Sequence, residues 1–218
     1  YAKSLDKRFD EDGRRLLKLA RLATKNHQYE ASEQCYNYII KNKPDSYYYR
    51  IARVEVVTML KDKIDANPLK SQSDITSLEN AYKKTLNEIG KNSYSLKLIR
   101  SYAELLAFYQ NKKQEAIILV KEGIALPRIS AIDKAQCQLL LGDIYVFTDD
   151  VWEAALIYGK VNQQFKNDPV GFEAKLKVAK AYYYTGNFAW AKTQLDVLKA
   201  ATTKLIANDA LQLSVLIS

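Results

Sequence analysis

The sequence predicts an all-α protein, about eleven helices arranged as repeated antiparallel pairs. Three observations lead there. Only 7 Gly and 4 Pro occur among 218 residues, a scarcity of turn formers that favours long helices joined by short connections over a many-stranded sheet. Hydrophobic residues make up 48% of the chain, enough to fill a sizeable core. The third observation is internal similarity: LLLGDIYVFTDDVWEAALIYGKV (139–161) aligns without a gap on LKVAKAYYYTGNFAWAKTQLDVL (176–198). Gly142 then falls on Ala179, Tyr145 on Tyr182, Ala154 on Ala191, Tyr158 on Leu195 and Val161 on Leu198. Small residues recur where two helices must approach closely, and large ones where a gap must be filled. Self-similarity of this kind marks a repeat array.

The remaining elements follow from the same pattern. In residues 13–43, Leu19-Ala20 precede a turn ending at Tyr29, Ser32 takes the small position and Tyr36 the aromatic one, and Pro44 closes the unit. Residues 46–90 hold a helix from about Ser46 to Leu60, then Ala81 at the small position. The extra length between them, KDKIDANPLKSQSD (61–74), reads as an enlarged turn. In 93–126 an apolar helix through Leu98, Tyr102, Leu105, Leu106 and Tyr109 leads to Ala116 and Pro127. The units 130–166 and 170–200 are the two aligned above. Asp168-Pro169 has the form of an N-cap followed by proline at the first helical position, where no amide donor is needed. Gly186 suits a left-handed residue just past a helix end. Residues 203–218 read as the first helix of a further, truncated repeat. Leu205, Ile206, Leu211, Leu213, Leu216 and Ile217 wrap more than one face of it, whereas a terminal helix should have a polar outer side. The expectation is therefore that the natural chain continues.

Leu141-Gly142, Tyr145, Ala154 and Tyr158, in that order and spacing, resemble the tetratricopeptide repeat (TPR). The unit 170–200 keeps Tyr182, Gly186, Phe188 and Ala191 but has Val178-Ala179 at the Leu-Gly pair and lacks the closing proline. The resemblance implies a TPR-like α-solenoid, a right-handed superhelix forming one array over residues 1–218. It further implies that binding occurs on a concave face lined by the first helix of each pair. Counted from the matched positions, that face presents Arg14, Arg21 and Lys25 in the first repeat, with Lys18 on the same side. In the fourth it presents Asp143, Val146 and Phe147, and in the fifth Lys180, Tyr183 and Tyr184. Such a groove is basic at one end and aromatic at the other, suited to a peptide or partner helix with acidic and apolar anchors. Leu17 and Arg21 stand where some members of the family grip a chaperone's C-terminal carboxylate with Lys and Asn, so that clamp is not expected.

The formal charge is +8, and residues 1–100 hold 20 Lys and Arg against 13 Asp and Glu. The charges interleave with acids, as on a solvated helix surface, although a basic half also attracts anionic partners. With His27 the single histidine, a Cys/His zinc site is not expected. Cys35 and Cys137 read as small buried side chains rather than a disulfide pair. No phosphate-binding loop or nucleophile–base pair occurs, and no cofactor is implied. The reading is a non-catalytic protein-interaction scaffold in a longer bacterial protein, whose Lys/Asn/Tyr-rich composition resembles TPR arrays of bacterial envelope or secreted proteins. Two alternatives stay open: the sensor or dimerisation region of a transcriptional regulator, and a helical repeat that stacks nucleic-acid bases on its 16 tyrosines. Tyr47-Tyr48-Tyr49 and Tyr183-Tyr184 are the aromatic runs that repeat packing leaves unexplained.

Overall fold

The computed structural model describes Ser4, residues 12–201 and residues 204–217. Eleven α-helices are described: α1 Arg14–Lys25, α2 Tyr29–Asn42, α3 Tyr47–Asp65, α4 Gln72–Ile89, α5 Leu96–Glu104, α6 Lys113–Ala125, α7 Ala131–Phe147, α8 Val151–Gln164, α9 Pro169–Tyr184, α10 Phe188–Ala201 and α11 Lys204–Ile217. A 3₁₀ turn, Ser93–Ser95, leads into α5, and a π-helical segment, Leu105–Tyr109, follows it. The chain divides into two compact units, 1–105 and 106–218. Within the first, α1 packs on α2, α2 on α3, α3 on α4 and α4 on α5. In the second the succession runs without a break from α6 to α11.

The pairing is built on a recurrent couple of side chains four residues apart on the second helix of each pair. Ser32 and Tyr36, Ala116 and Val120, Ala154 and Tyr158, and Ala191 and Leu195 are all buried. A small residue lets the first helix approach, and a large one a turn later fills the space below it. Gly142 shows how close this approach is, since a methyl group there would collide with the Tyr158 ring. On α4 the buried couple is Leu78 and Tyr82, at 3% and 0% exposure, whereas Ala81, the expected small residue, is only half-buried. The expectation chose residue size over register: four residues before the buried tyrosine stands a leucine.

The turns within pairs share a backbone signature. His27, Asn111, Asp149 and Gly186 all have positive φ, at 58°, 54°, 68° and 74°. After three of them the next amide donates to a carbonyl five residues back: Gln28 to Ala23, Asp150 to Tyr145 and Asn187 to Tyr182. This is the Schellman closure of a helix end. Gly186 is the one position of the four where glycine removes the left-handed penalty.

The second pair departs from the expected turn over 61–74. Helix α3 runs on to Asp65, supported by a Lys61–Asp65 ion pair one turn apart. Helix α4 starts at Gln72 behind a Ser71/Asp74 capping box. Only Ala66–Ser71, with Pro68, is left as loop. At α9 the proline occupies the first helical position as expected, but the Asp168 side chain makes no capping hydrogen bond. Gly171 has a reason that the sequence did not disclose, because a Cβ there would strike the Phe165 carbonyl.

Two apolar clusters hold α7 to α11. Ala135, Leu139, Ala154, Tyr158, Val161, Ala174 and Val178 join α7, α8 and α9. Leu176, Ala179, Leu195, Leu198, Ala210 and Leu213 join α9, α10 and α11. On α11, Leu213 is buried and Ile206 half-buried, while Leu211 and Leu216 are exposed. The side chain of Leu205, and residues 203 and 218, lie outside the described residues. Cys35 and Cys137 are buried thiols and form no disulfide. Among the described residues no helix is long and apolar enough to cross a membrane.

Candidate functional site

First helices touch one another across an intervening helix: α1 meets α3 in the first unit, and α7 meets α9 and α9 meets α11 in the second. Second helices make no comparable contact among the described residues. Elements that touch at alternate positions line the tighter side of a stack, so the first helices share one face within each unit.

Across that face runs a polar clamp that occurs twice. Arg21 on α1 grips Glu55 on α3, with Nε 2.9 Å from Oε2 and Nη2 2.5 Å from Oε1. From the second helix between them, the Tyr36 hydroxyl donates to Glu55 Oε2 at 3.2 Å. In the other unit, Lys177 on α9 donates to both Asp143 oxygens on α7 at 2.8 and 2.9 Å, and the Tyr158 hydroxyl donates to Oδ1 at 2.7 Å. The register is the same, since tyrosine follows the first charge by 15 residues and precedes the second by 19. The sign is reversed: the cation comes first in one clamp and the carboxylate first in the other. Burial, then the adjacent Glu55 carboxylate, pushes the Tyr36 hydroxyl up to about 12. Burial beside Asp143 raises Tyr158 further. Arg21 is raised as well, chiefly by its hydrogen bond to Glu55.

These clamps change the standing of two expected groove residues. Arg21 and Asp143 lie on the first-helix face, but each is already held by an opposite charge one repeat away. Arg21 is therefore not the open cation expected of it; its partner lies 34 residues away in the chain. The signal that would have revealed the pair is the shared 15- and 19-residue spacing around Tyr36 and Tyr158.

The other expected residues separate by exposure. Arg14 and Lys25 are exposed on α1, as is Lys18, while Leu17 is buried. Phe147 is half-exposed at the end of α7, with its ring edge-on to Phe108 at 5.3 Å and Lys113 Nζ 4.5 Å above it. Val146 and Tyr183 lean into the apolar clusters. Tyr183 also meets Phe188 at 5.6 Å, so it is partly a packing residue and not the free groove side chain expected. Tyr184 is 61% exposed. Lys180 is exposed too and lines a cavity of about 600 Å³ between first helices α7, α9 and α11. Ile132, Leu176 and Ile206 supply apolar lining there, and Glu173, Lys177 and Asp209 charge.

A second cavity, of about 530 Å³, lies at the head of α3 and is lined by Tyr47, Tyr49, Arg50, Ile51, Val54 and Tyr94 among others. This cavity gives a place to Tyr47 and Tyr49 of the run Tyr47-Tyr48-Tyr49, which repeat packing leaves unexplained. Trp190 is 57% exposed against the Tyr182 ring. His27 is exposed and shares a hydrogen bond with the Tyr29 hydroxyl at 2.9 Å. No group of side chains among the described residues has the composition to hold a metal ion.

No family model matches the chain, and no curated protein matches its sequence. Solved structures do match. BtubC (BKLC) from P. vanneervenii superposes with a TM-score of 0.72 at 17% identity, over 92% of this chain and 85% of that one. A Podosopora anserina putative kinesin light chain, described as nearly identical TPR-like repeats, gives 0.67 at 14% over 86% and 93%. YrrB, described as a TPR protein with an unusual peptide-binding site, gives 0.61 at 15% over 96% of both chains.

Proposed function

We propose that this chain, which has the tetratricopeptide-repeat fold, is a non-catalytic scaffold that binds a peptide or an extended segment of a partner protein along its first-helix face. The observation carrying this reading is the cavity between α7, α9 and α11. Its apolar lining from Ile132, Leu176 and Ile206 sits among charged groups, one of which, Lys180, is engaged by no carboxylate among the described residues. Such a surface offers apolar burial and directional charge together, as peptide recognition requires. Arg14, Lys25, Lys180 and Tyr184 project from first helices without being consumed by packing, whereas Arg21 and Asp143 are assigned to holding neighbouring first helices together. The likeness to YrrB is in keeping with a peptide as the ligand.

Photo-crosslinking in cells tests the reading. A crosslinking amino acid placed at Lys180 or Arg14 should yield discrete protein adducts. One placed at Lys192 or Glu153, exposed positions of second helices, should yield few. Adducts from the second-helix positions alone would overturn it.

Tyr36, Tyr82, Tyr102 and Tyr158 are buried and so offer no ring face for stacking nucleic-acid bases; any such stacking would fall to exposed rings such as Tyr47, Tyr94 and Tyr184.

A further inference from the structure

The cavity at the head of α3 combines features that neither the repeat architecture nor the clamps require. Tyr47 and Tyr94 are 78% and 79% exposed, although one belongs to α3 and the other to the 3₁₀ turn before α5. Both line the same cavity, whose interior is apolar through Ile51, Val54 and Ile89. Large rings left mostly in water beside an apolar hollow, Tyr47 touching only the edge of the Tyr48 ring, are suited to closing over a ligand group. Tyrosine does so at small conformational cost, having two side-chain torsions to fix.

The charges around this cavity are mostly spent. Glu55 has both oxygens filled by Arg21 and Tyr36. Arg53, on the same helix, is held by Glu88 at 2.7 Å and by the Tyr49 hydroxyl at 3.1 Å. Two lining charges are left uncompensated among the described residues, Arg50 and Asp45. The surrounding field decides between them, since residues 1–100 hold 20 Lys and Arg against 13 Asp and Glu. An incoming carboxylate is therefore drawn to Arg50, which can hold it through two parallel N–H donors.

The corresponding stretch of α9 makes the contrast sharp. A shift of 122 residues places Tyr47 on Pro169, Val54 on Leu176 and Glu55 on Lys177, and the cavity there is also lined by these three residues. The two first-helix cavities thus occupy one register. Only the one on α3 has tyrosine rings at its margin and an uncompensated arginine.

We infer that the α3 cavity is an anchoring site for an extended, acidic segment of a partner protein, taking one aromatic or proline side chain between Tyr47 and Tyr94 and an adjacent carboxylate on Arg50. This rests on the scaffold reading above and adds to it the place and chemistry of one anchor.

The test is a selection of phage-displayed random peptides, about twelve residues long to span several repeat positions, against the chain. Selected peptides should carry an aromatic or proline residue next to Asp or Glu. Tyr47→Ala with Tyr94→Ala, and separately Arg50→Glu, should weaken them at least about tenfold, or about 1.4 kcal/mol, with the thermal midpoint unchanged. Binding should also fall with added salt. If the selected peptides ignore these substitutions but are lost on Lys180→Glu, this inference fails and the scaffold reading stands. If no selected peptide binds either cavity saturably, both fail. Selected peptides that are basic rather than acidic would overturn the assignment of Arg50.

Discussion

Removing Asp143 tests the clamp of the second unit where its energy is most separable. The carboxylate has two jobs, neutralising Lys177 and accepting the Tyr158 hydroxyl. The ion pair is partly exposed, with side chains 22% and 34% accessible, so screening by water limits it to about 0.5–1 kcal/mol. The hydroxyl is a different matter, because Tyr158 is 1% exposed. A buried O–H deprived of its acceptor costs about 1–3 kcal/mol. Asp143→Ala should therefore destabilise the chain by about 2–3 kcal/mol. Tyr158→Phe removes the hydroxyl and its need together, and should cost only about 1 kcal/mol. In that background Asp143→Ala loses the ion pair alone, so the two changes together should fall short of additivity by about 1–2 kcal/mol. Urea unfolding of the four proteins at neutral pH, with midpoints compared at a common slope, gives the coupling directly. Additivity within about 0.3 kcal/mol would refute the argument, showing that water satisfies Tyr158 once Asp143 is gone.

Other consequences follow from the same structure. Gly171→Ala drives a methyl group into the Phe165 carbonyl, and because backbone cannot yield as a side chain can, the loss should reach about 1–3 kcal/mol in thermal or urea melts. Tyr183→Ala should lower stability, since the ring packs on the α9–α11 cluster, whereas Tyr184→Ala, at 61% exposure, should leave the melt unchanged; equal effects would contradict the packing. Stability should also fall at alkaline pH. Tyr36 is raised to about 12 by burial and by Glu55, and Tyr82 and Tyr158 are raised as well, chiefly by burial. A group whose folded pKa lies above its unfolded value of about 10 contributes fully below that pH and loses its contribution as pH rises towards the folded value. Equilibrium unfolding should therefore show a declining free energy from about pH 10 to 12, a decline that Tyr36→Phe reduces.

Much of the fold was legible because packing writes itself into residue size. Ser32 and Tyr36, Ala154 and Tyr158, and Ala191 and Leu195 stand where small and large residues were read, and Gly186 stands in the left-handed turn. Size misled where a leucine filled a small position, so that Ala81 was read in place of Leu78. The long connection after Leu60 was read as loop because it holds Pro68 and polar residues. The one-turn ion pair Lys61–Asp65 and the Ser71/Asp74 capping box, both local signals, instead shorten it to Ala66–Ser71. The candidate site was less legible. Exposure and charge compensation depend on residues one repeat away, and nothing local to Arg21 reveals that Glu55 will hold it. The tyrosines of 47–49 were noticed, but the cavity beside them needs Tyr94, which only the fold brings near.

Hydrogen exchange of the chain with and without a selected peptide tests the central claim most directly, namely that recognition belongs to the first-helix faces. Added protection should appear in α3 or α9 and in the turns that open them, with the outer positions of α8 and α10 unchanged. Protection concentrated on α8 and α10, with α3 and α9 exchanging as in the free chain, would contradict it.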